Sequence, residues 1–242
     1  MDKVRDMLCK DNLLFRSKAV VWVVAAVITS AAFGQTSEDE VIRRTEEAQR
    51  AKETNLLGYT VTERYKVVRN GETQPAAVLE VRTVYTRDKG KDYSDIKSRT
   101  GSGALQKLVL NKILQREEEI SRNDTRKHIL ITSDNYNMKL SGNDTIGGRK
   151  CFVLNLKART KSPYLLDGQA WIDSQTYELV RIQGRPNERP SFWTGRPLID
   201  RNYEDKMGFP LAITARAESN SLFFGTTVVF IEYSDYDVTR AP

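Results

Sequence analysis

Few side chains in this chain could do covalent chemistry. Among 242 residues His128 is the only histidine, and the two cysteines are Cys9 and Cys151. A thiolate and an imidazole can form a nucleophile–base pair. Cys151, however, opens the apolar pattern Cys151-Phe152-Val153-Leu154, where a lone cysteine acts as a small buried hydrophobe. Zinc and haem sites draw on several His or Cys ligands, so no metal and no cofactor is predicted. Gly101-Ser102-Gly103 resembles a fragment of a nucleophile elbow, but it lacks the strand-turn-helix frame and any Asp/His partner pattern. It reads as the flexible start of a helix. No glycine-rich phosphate loop occurs. The Asp and Glu residues are scattered; a glycosidase-like carboxylate pair stays open as a weak reading, with no two carboxylates singled out. The expectation is a protein without catalytic residues and not an enzyme.

The N-terminal segment decides where any function would be exercised. Residues 19–33, AVVWVVAAVITSAAF, form an apolar run of about fifteen residues. Arg16 and Lys18 precede it and Ala32-Phe33-Gly34 follows. That is the order of a secretory signal, and the run is shorter than the roughly 20 residues that cross a bilayer. We therefore expect residues 1–34 to be a cleaved signal peptide and 35–242 a single exported domain, soluble in the periplasm or outside the cell. Cys9 leaves with the signal, so the mature chain has one cysteine and no internal disulfide, and its fold must stand on its own core. Removing five Lys/Arg and three Asp/Glu lowers the net charge from +6 to +4. The charges are interspersed, so no nucleic-acid partner is expected.

The positioning elements follow from periodicity. Ser37 is a suitable N-cap for a helix to Glu53, with Glu38, Asp39 and Glu40 in its first turn and Val41, Thr45, Ala48 and Ala51 along one face. The period then changes to two: Tyr59, Val61, Tyr65 and Val67 alternate with polar residues, Asn70-Gly71 turns the chain, and Ala77, Leu79, Val81 and Tyr85 repeat the pattern. A second helix is predicted over about Ser102–Ser121, apolar in its first half and polar from Gln115 to Glu119. Short strands are predicted at His128–Thr132 and Tyr136–Leu140, and the remainder reads as strands, with a long Pro/Gly/Arg loop at Gly184–Pro197 that holds Phe192 and Trp193. Nine to eleven strands and two helices without a βαβ rhythm give an α+β fold, one strongly curved antiparallel sheet with helices covering one side.

Several strands are apolar on both faces, notably Phe152-Val153-Leu154 and Val228-Val229-Phe230-Ile231. Such a sheet needs two cores, a helix cover or a ligand cavity. The functional reading is a cavity for an acyl chain, with the second helix as its lid and Leu105, Leu108, Val109 and Ile113 pointing inward. Gly101 and Gly103 would serve as its hinge, and Trp171, Phe192 and Trp193 complete the expected binding residues.

Certain segments carry a family likeness. Asn135-Tyr136-Asn137-Met138-Lys139-Leu140-Ser141-Gly142 leads into Ile146-Gly147-Gly148-Arg149-Lys150-Cys151-Phe152-Val153-Leu154. Gly168-Gln169-Ala170-Trp171-Ile172-Asp173, Leu179-Val180-Arg181-Ile182-Gln183-Gly184, Pro190-Ser191-Phe192-Trp193 and the closing 227–236 segment continue it. In this order they resemble the LolA/LolB-like lipoprotein-carrier superfamily, and within it the outer-membrane lipoprotein-sorting proteins. The resemblance spans about residues 38–237. It implies a half-open β-barrel with a helical lid, whose apolar cavity shields lipoprotein acyl chains or lipids between an inner-membrane donor complex and an outer-membrane acceptor. The lid-latching arginine of the best-studied carriers has no counterpart that can be aligned. The alternative it implies is an RseB-like sensor or binding module that recognises envelope lipid or protein without transport.

Overall fold

The computed structural model describes residues 36–190, 195–221 and 225–242; the proposed signal peptide and the Phe192-Trp193 pair lie outside them. The first helix, α1 (Glu38–Asn55), begins where the cap was expected: the Ser37 hydroxyl accepts a hydrogen bond from the Glu40 N–H at 3.2 Å. Val41 and Thr45 are its buried residues, and Ala51 is exposed.

A meander follows, β1 (Leu56–Arg69), β2 (Ala77–Thr86) and β3 (Gly90–Gly101). Asn70 and Gly71 both take positive φ at the first turn, 50° and 75°. The second helical region is continuous but irregular: α2 (Gly103–Leu105), a π turn (Gln106–Leu110) and α3 (Asn111–Ser121). A short α4 (Asn123–Arg126) and a 3-10 turn (Lys127–Ile129) lead to β4 (Tyr136–Ile146). The strand expected at His128–Thr132 is therefore absent. Its carbonyls face no partner strand; the Asn135 amide instead donates to the carbonyls of Lys127 (3.2 Å) and Leu130 (2.9 Å). The rest is β5 (Arg149–Ala158), β6 (Leu166–Asp173), β7 (Leu179–Pro186), β8 (Leu198–Lys206), β9 (Phe209–Ser221) and β10 (Gly225–Arg240).

All ten strands form one antiparallel sheet in the order β3-β2-β1-β10-β9-β8-β7-β6-β5-β4, open between β3 and β4. Laid flat, ten strands would measure about 43 Å across at about 4.8 Å per step. Yet Lys91 of β3 and Tyr136 of β4, from the two edges, line one cavity. The sheet is thus strongly curled, and α1 and α3 sit over its concave side. The backbones of β6 and β7 approach closely where Gly168 faces Gly184. A Cβ on Gly168 would lie 2.0 Å from the Gln183 carbonyl oxygen and 2.5 Å from the Gly184 Cα, so only glycine allows this approach.

The concave side carries two main cores. One joins α2–α3 to the first and last strands through Val61, Tyr65, Val67, Leu79, Leu110 and Val229. The other joins α1 to the middle strands through Val41, Tyr136, Leu154, Leu156, Ile172 and Leu179. No helix among the described residues is long and apolar enough to cross a membrane.

Candidate functional site

Between these cores lies a cavity of about 360 Å³. It is lined from above by Gln49, Lys52 and Glu53 of α1 and by Ile113, Arg116, Glu117, Ile120 and Ser121 of α3. Its floor is apolar, with Leu166, Leu179, Ile182, Ile199, Leu211, Val229 and Ile231 from the strands. Five of the seven prolines, Pro163, Pro186, Pro190, Pro197 and Pro210, also line it. Proline has no N–H, so these stretches of wall present few donors that would need water.

One side of the wall is charged. Lys91 places its ammonium 3.1 Å from Glu63 Oε1 and 3.2 Å from Glu117 Oε2, and Arg201 Nη2 donates to Glu117 Oε1 at 2.7 Å. Glu63 is fully buried and also accepts from the Tyr65 hydroxyl. Two cations and two carboxylates thus balance within one buried group. Burial alone would raise the Glu117 carboxyl; the charges of Arg201 and Lys91 outweigh it and hold the group down at about 2. Burial likewise opposes the Lys91 ammonium, and Glu63, Tyr93 and Glu117 reverse that and hold it well above the lysine range. The charge of Glu117 outweighs burial and raises Arg201 in turn. A buried ion-pair group is poor evidence of net stabilisation, since apolar residues of similar volume do as well. What this one does geometrically is tie α3, through Glu117, to β3 and β8 across the cavity.

The other cations are held differently. Arg126 pairs with Glu53 at 2.6 Å. Arg116 donates to the Pro163 carbonyl and lies over the Tyr164 ring, 4.5 Å from its centroid. Lys52 donates to the Pro210 carbonyl at 2.7 Å.

The expected binding residues divide. Ile113 lines the cavity. Leu105 is buried in the first core, and Val109 is packed against it without reaching the cavity. Leu108 is 51% exposed and points to solvent, which corrects its expected position on the cavity face of the helix. The cause is the π turn at Gln106–Leu110, where an i→i+5 turn inserts a residue and shifts the helical phase. The Gln106 amide fixes that turn by donating to the carbonyls of Val78 (2.8 Å) and Thr100 (2.9 Å). The buried positions become Leu110, Ile113 and Leu114, while Arg116 and Glu117 of the stretch expected to be polar face the cavity together with Ile120. Trp171 is also corrected. It belongs with Cys151, Val153 and Val180 to a cluster on the sheet's other face. Its Nε1–H donates to Asp144 at 2.9 Å, and Arg181 lies over its ring. Period two in β6 gives the concave face to Ala170 and Ile172 instead.

His128 is exposed on the 3-10 turn, whereas Cys151 is buried in the far-face cluster, where burial pushes its thiol up. The two do not form a site. Among the described residues no group of three His, Cys, Asp or Glu is arranged to hold a metal.

No protein-family model and no curated protein matches the chain. Several solved structures do. An outer membrane lipoprotein-sorting protein domain from Vibrio parahaemolyticus is 13% identical, with a TM-score of 0.47, over 82% of this chain and 92% of that one. A DUF1329-family protein from Desulfovibrio piger is 12% identical, TM-score 0.43, over 82% and 92%. A LolA-superfamily protein from Nitrosomonas europaea is 12% identical, TM-score 0.41, over 85% and 95%. These likenesses are distant, and the functional reading rests on the cavity itself.

Proposed function

We propose that this chain is an exported, non-enzymatic carrier that takes the acyl chain of a lipid or lipoprotein into its cavity and moves it through the periplasm toward the outer membrane. The cavity is the observation that carries the reading. It lies under two helices, with an apolar floor contributed by five successive strands, β6 to β10. At about 30 Å³ for a water-sized group, 360 Å³ holds on the order of twelve such groups, the volume of one chain of about a dozen methylenes. At about 0.8 kcal/mol per buried methylene, that chain gains on the order of 10 kcal/mol. A soluble carrier needs a term of that size to compete with a bilayer. Opening would require α3 to move, and the Glu117 ion pairs to β3 and β8 are the contacts that must break.

The test is transfer between vesicles. Protein loaded with a fluorescent acyl lipid from donor vesicles should deliver it to acceptor vesicles faster than spontaneous exchange. Ile199→Trp, which fills the cavity, should abolish loading. Loading without delivery would point to the sensing alternative, and no loading would overturn the acyl-chain reading.

A further inference from the structure

The charges of the cavity are unequal. Six basic side chains line it, Lys52, Lys91, Arg116, Arg126, Arg201 and Arg216, against two acidic ones, Glu53 and Glu117. Most of the excess is answered by carboxylates: Lys91 and Arg201 by Glu63 and Glu117, Arg126 by Glu53, and Arg216 by Glu218. Lys52 is different. It stands in the last turn of α1, and no carboxylate among the described residues lies within ion-pairing distance of its ammonium. Its one hydrogen bond goes to the Pro210 carbonyl, although an ammonium has three N–H donors. Lys52 lines the same cavity as the apolar Leu56 and Leu211 and the rings of Tyr59 and Tyr236. Desolvation lowers this ammonium to about 8 and outweighs the opposing charges of Glu53 and Glu178.

We infer that the ligand is a single-chain amphiphile with an anionic head group, a carboxylate or a phosphate, which binds the Lys52 ammonium while its chain fills the apolar cavity. This rests on the acyl-chain reading above and narrows it. A neutral head would offer no charge to the Lys52 ammonium, and a cationic head would add to an existing positive excess. One chain fits because the volume holds on the order of a dozen methylenes.

The test is calorimetric titration of the delipidated protein with four twelve-carbon probes: dodecanoate, dodecyl phosphate, dodecanol and dodecyltrimethylammonium. Either anion should bind at least about tenfold tighter than dodecanol, the ratio expected of one charge-assisted hydrogen bond, with the cation weakest. Which anion is tighter separates the two head-group sources. In Lys52→Met the ratio of anion to dodecanol affinity should fall to about one, and in Lys52→Arg it should persist, which a residue that merely caps Pro210 would not explain. Equal binding of dodecanol and the anions to the wild type, or a ratio unchanged in Lys52→Met, would overturn the inference alone. Failure of all four probes would overturn the acyl-chain reading together with it.

Discussion

Replacing Glu117 with Gln changes one atom of nearly identical shape and removes one charge from the group that ties α3 to the sheet. The size of the effect can be reached by two routes. Holding the carboxyl at about 2 rather than its ordinary 4.5 corresponds to about 3 kcal/mol in favour of the ionised folded form. Independently, removing one partner of a buried ion pair costs about 3–5 kcal/mol, because the opposing charge stays buried. Here Arg201 is the stranded partner, since Lys91 still has Glu63 at 3.1 Å. Glu117→Gln should therefore lower the unfolding free energy by about 3 kcal/mol at neutral pH, read by denaturant titration with an unchanged slope. Because the folded-state value is depressed, wild-type stability from this group is complete above about 4.5 and is lost as pH falls toward about 2; the variant should lack that loss. Glu117→Leu combined with Arg201→Leu leaves the Lys91–Glu63 pair whole and should cost about 1 kcal/mol or less. A Glu117→Gln penalty under about 1 kcal/mol would refute the reasoning, as would a double variant as unstable as the sum of the singles.

Three other outcomes follow from the same geometry. Leu108→Glu, at a position 51% exposed, should change stability by no more than about 0.5 kcal/mol and leave acyl-probe binding intact, whereas Ile113→Glu in the cavity wall should lose it; a binding loss in Leu108→Glu would restore the helix phase that periodicity alone suggested. Gly168→Val should destabilise by at least about 2 kcal/mol, because its side chain would meet Gln183 and Gly184 backbone, and wild-type thermal stability in this variant would show that the two strands can move apart there. Lys52 is held at about 8 against an ordinary 10.5, so the unfolded chain binds more protons in that window and stability should rise with pH across it. Lys52 is half-buried, which limits the rise to about 1–2 kcal/mol; a wild-type minus Lys52→Met stability difference that stays flat between pH 7.5 and 10.5 would contradict it.

Most of the sheet was legible because its rules are local. Alternation placed Val61, Tyr65 and Val67 correctly on the buried face of β1, Ser37 marked the start of α1, and Asn70-Gly71 the first turn. The charged part of the site was also written in that alternation, as an exception to it. Glu63 falls in the buried phase between Val61 and Tyr65, and Arg201 shares a phase with Ile199 and Tyr203. An ionisable residue in an apolar phase signals a buried partner, but not which one. Glu63 pairs with Lys91, 28 residues on, and Glu117 pairs with Lys91, 26 residues away, and with Arg201, 84 residues away; no local pattern reports such pairings. The phase of the second helix was not legible for a different reason. Assigning Leu108 and Val109 to its inner face assumed a regular 3.6-residue period, and the π turn held by Gln106 breaks it. Trp171 shows the limit of residue type: an aromatic ring suits a binding site, but its strand phase sends it to the other face, where Asp144 and Arg181 engage it.

The central claim is that the concave cavity holds one acyl chain. Native mass spectrometry of the protein purified from its own host, with lipid extraction of the same sample, tests it most directly. The expected result is a 1:1 complex with one acyl-bearing molecule, absent from Ile199→Trp. A bare polypeptide mass that takes up no acyl lipid after delipidation and reloading would contradict the claim, as would a complex that survives unchanged in Ile199→Trp.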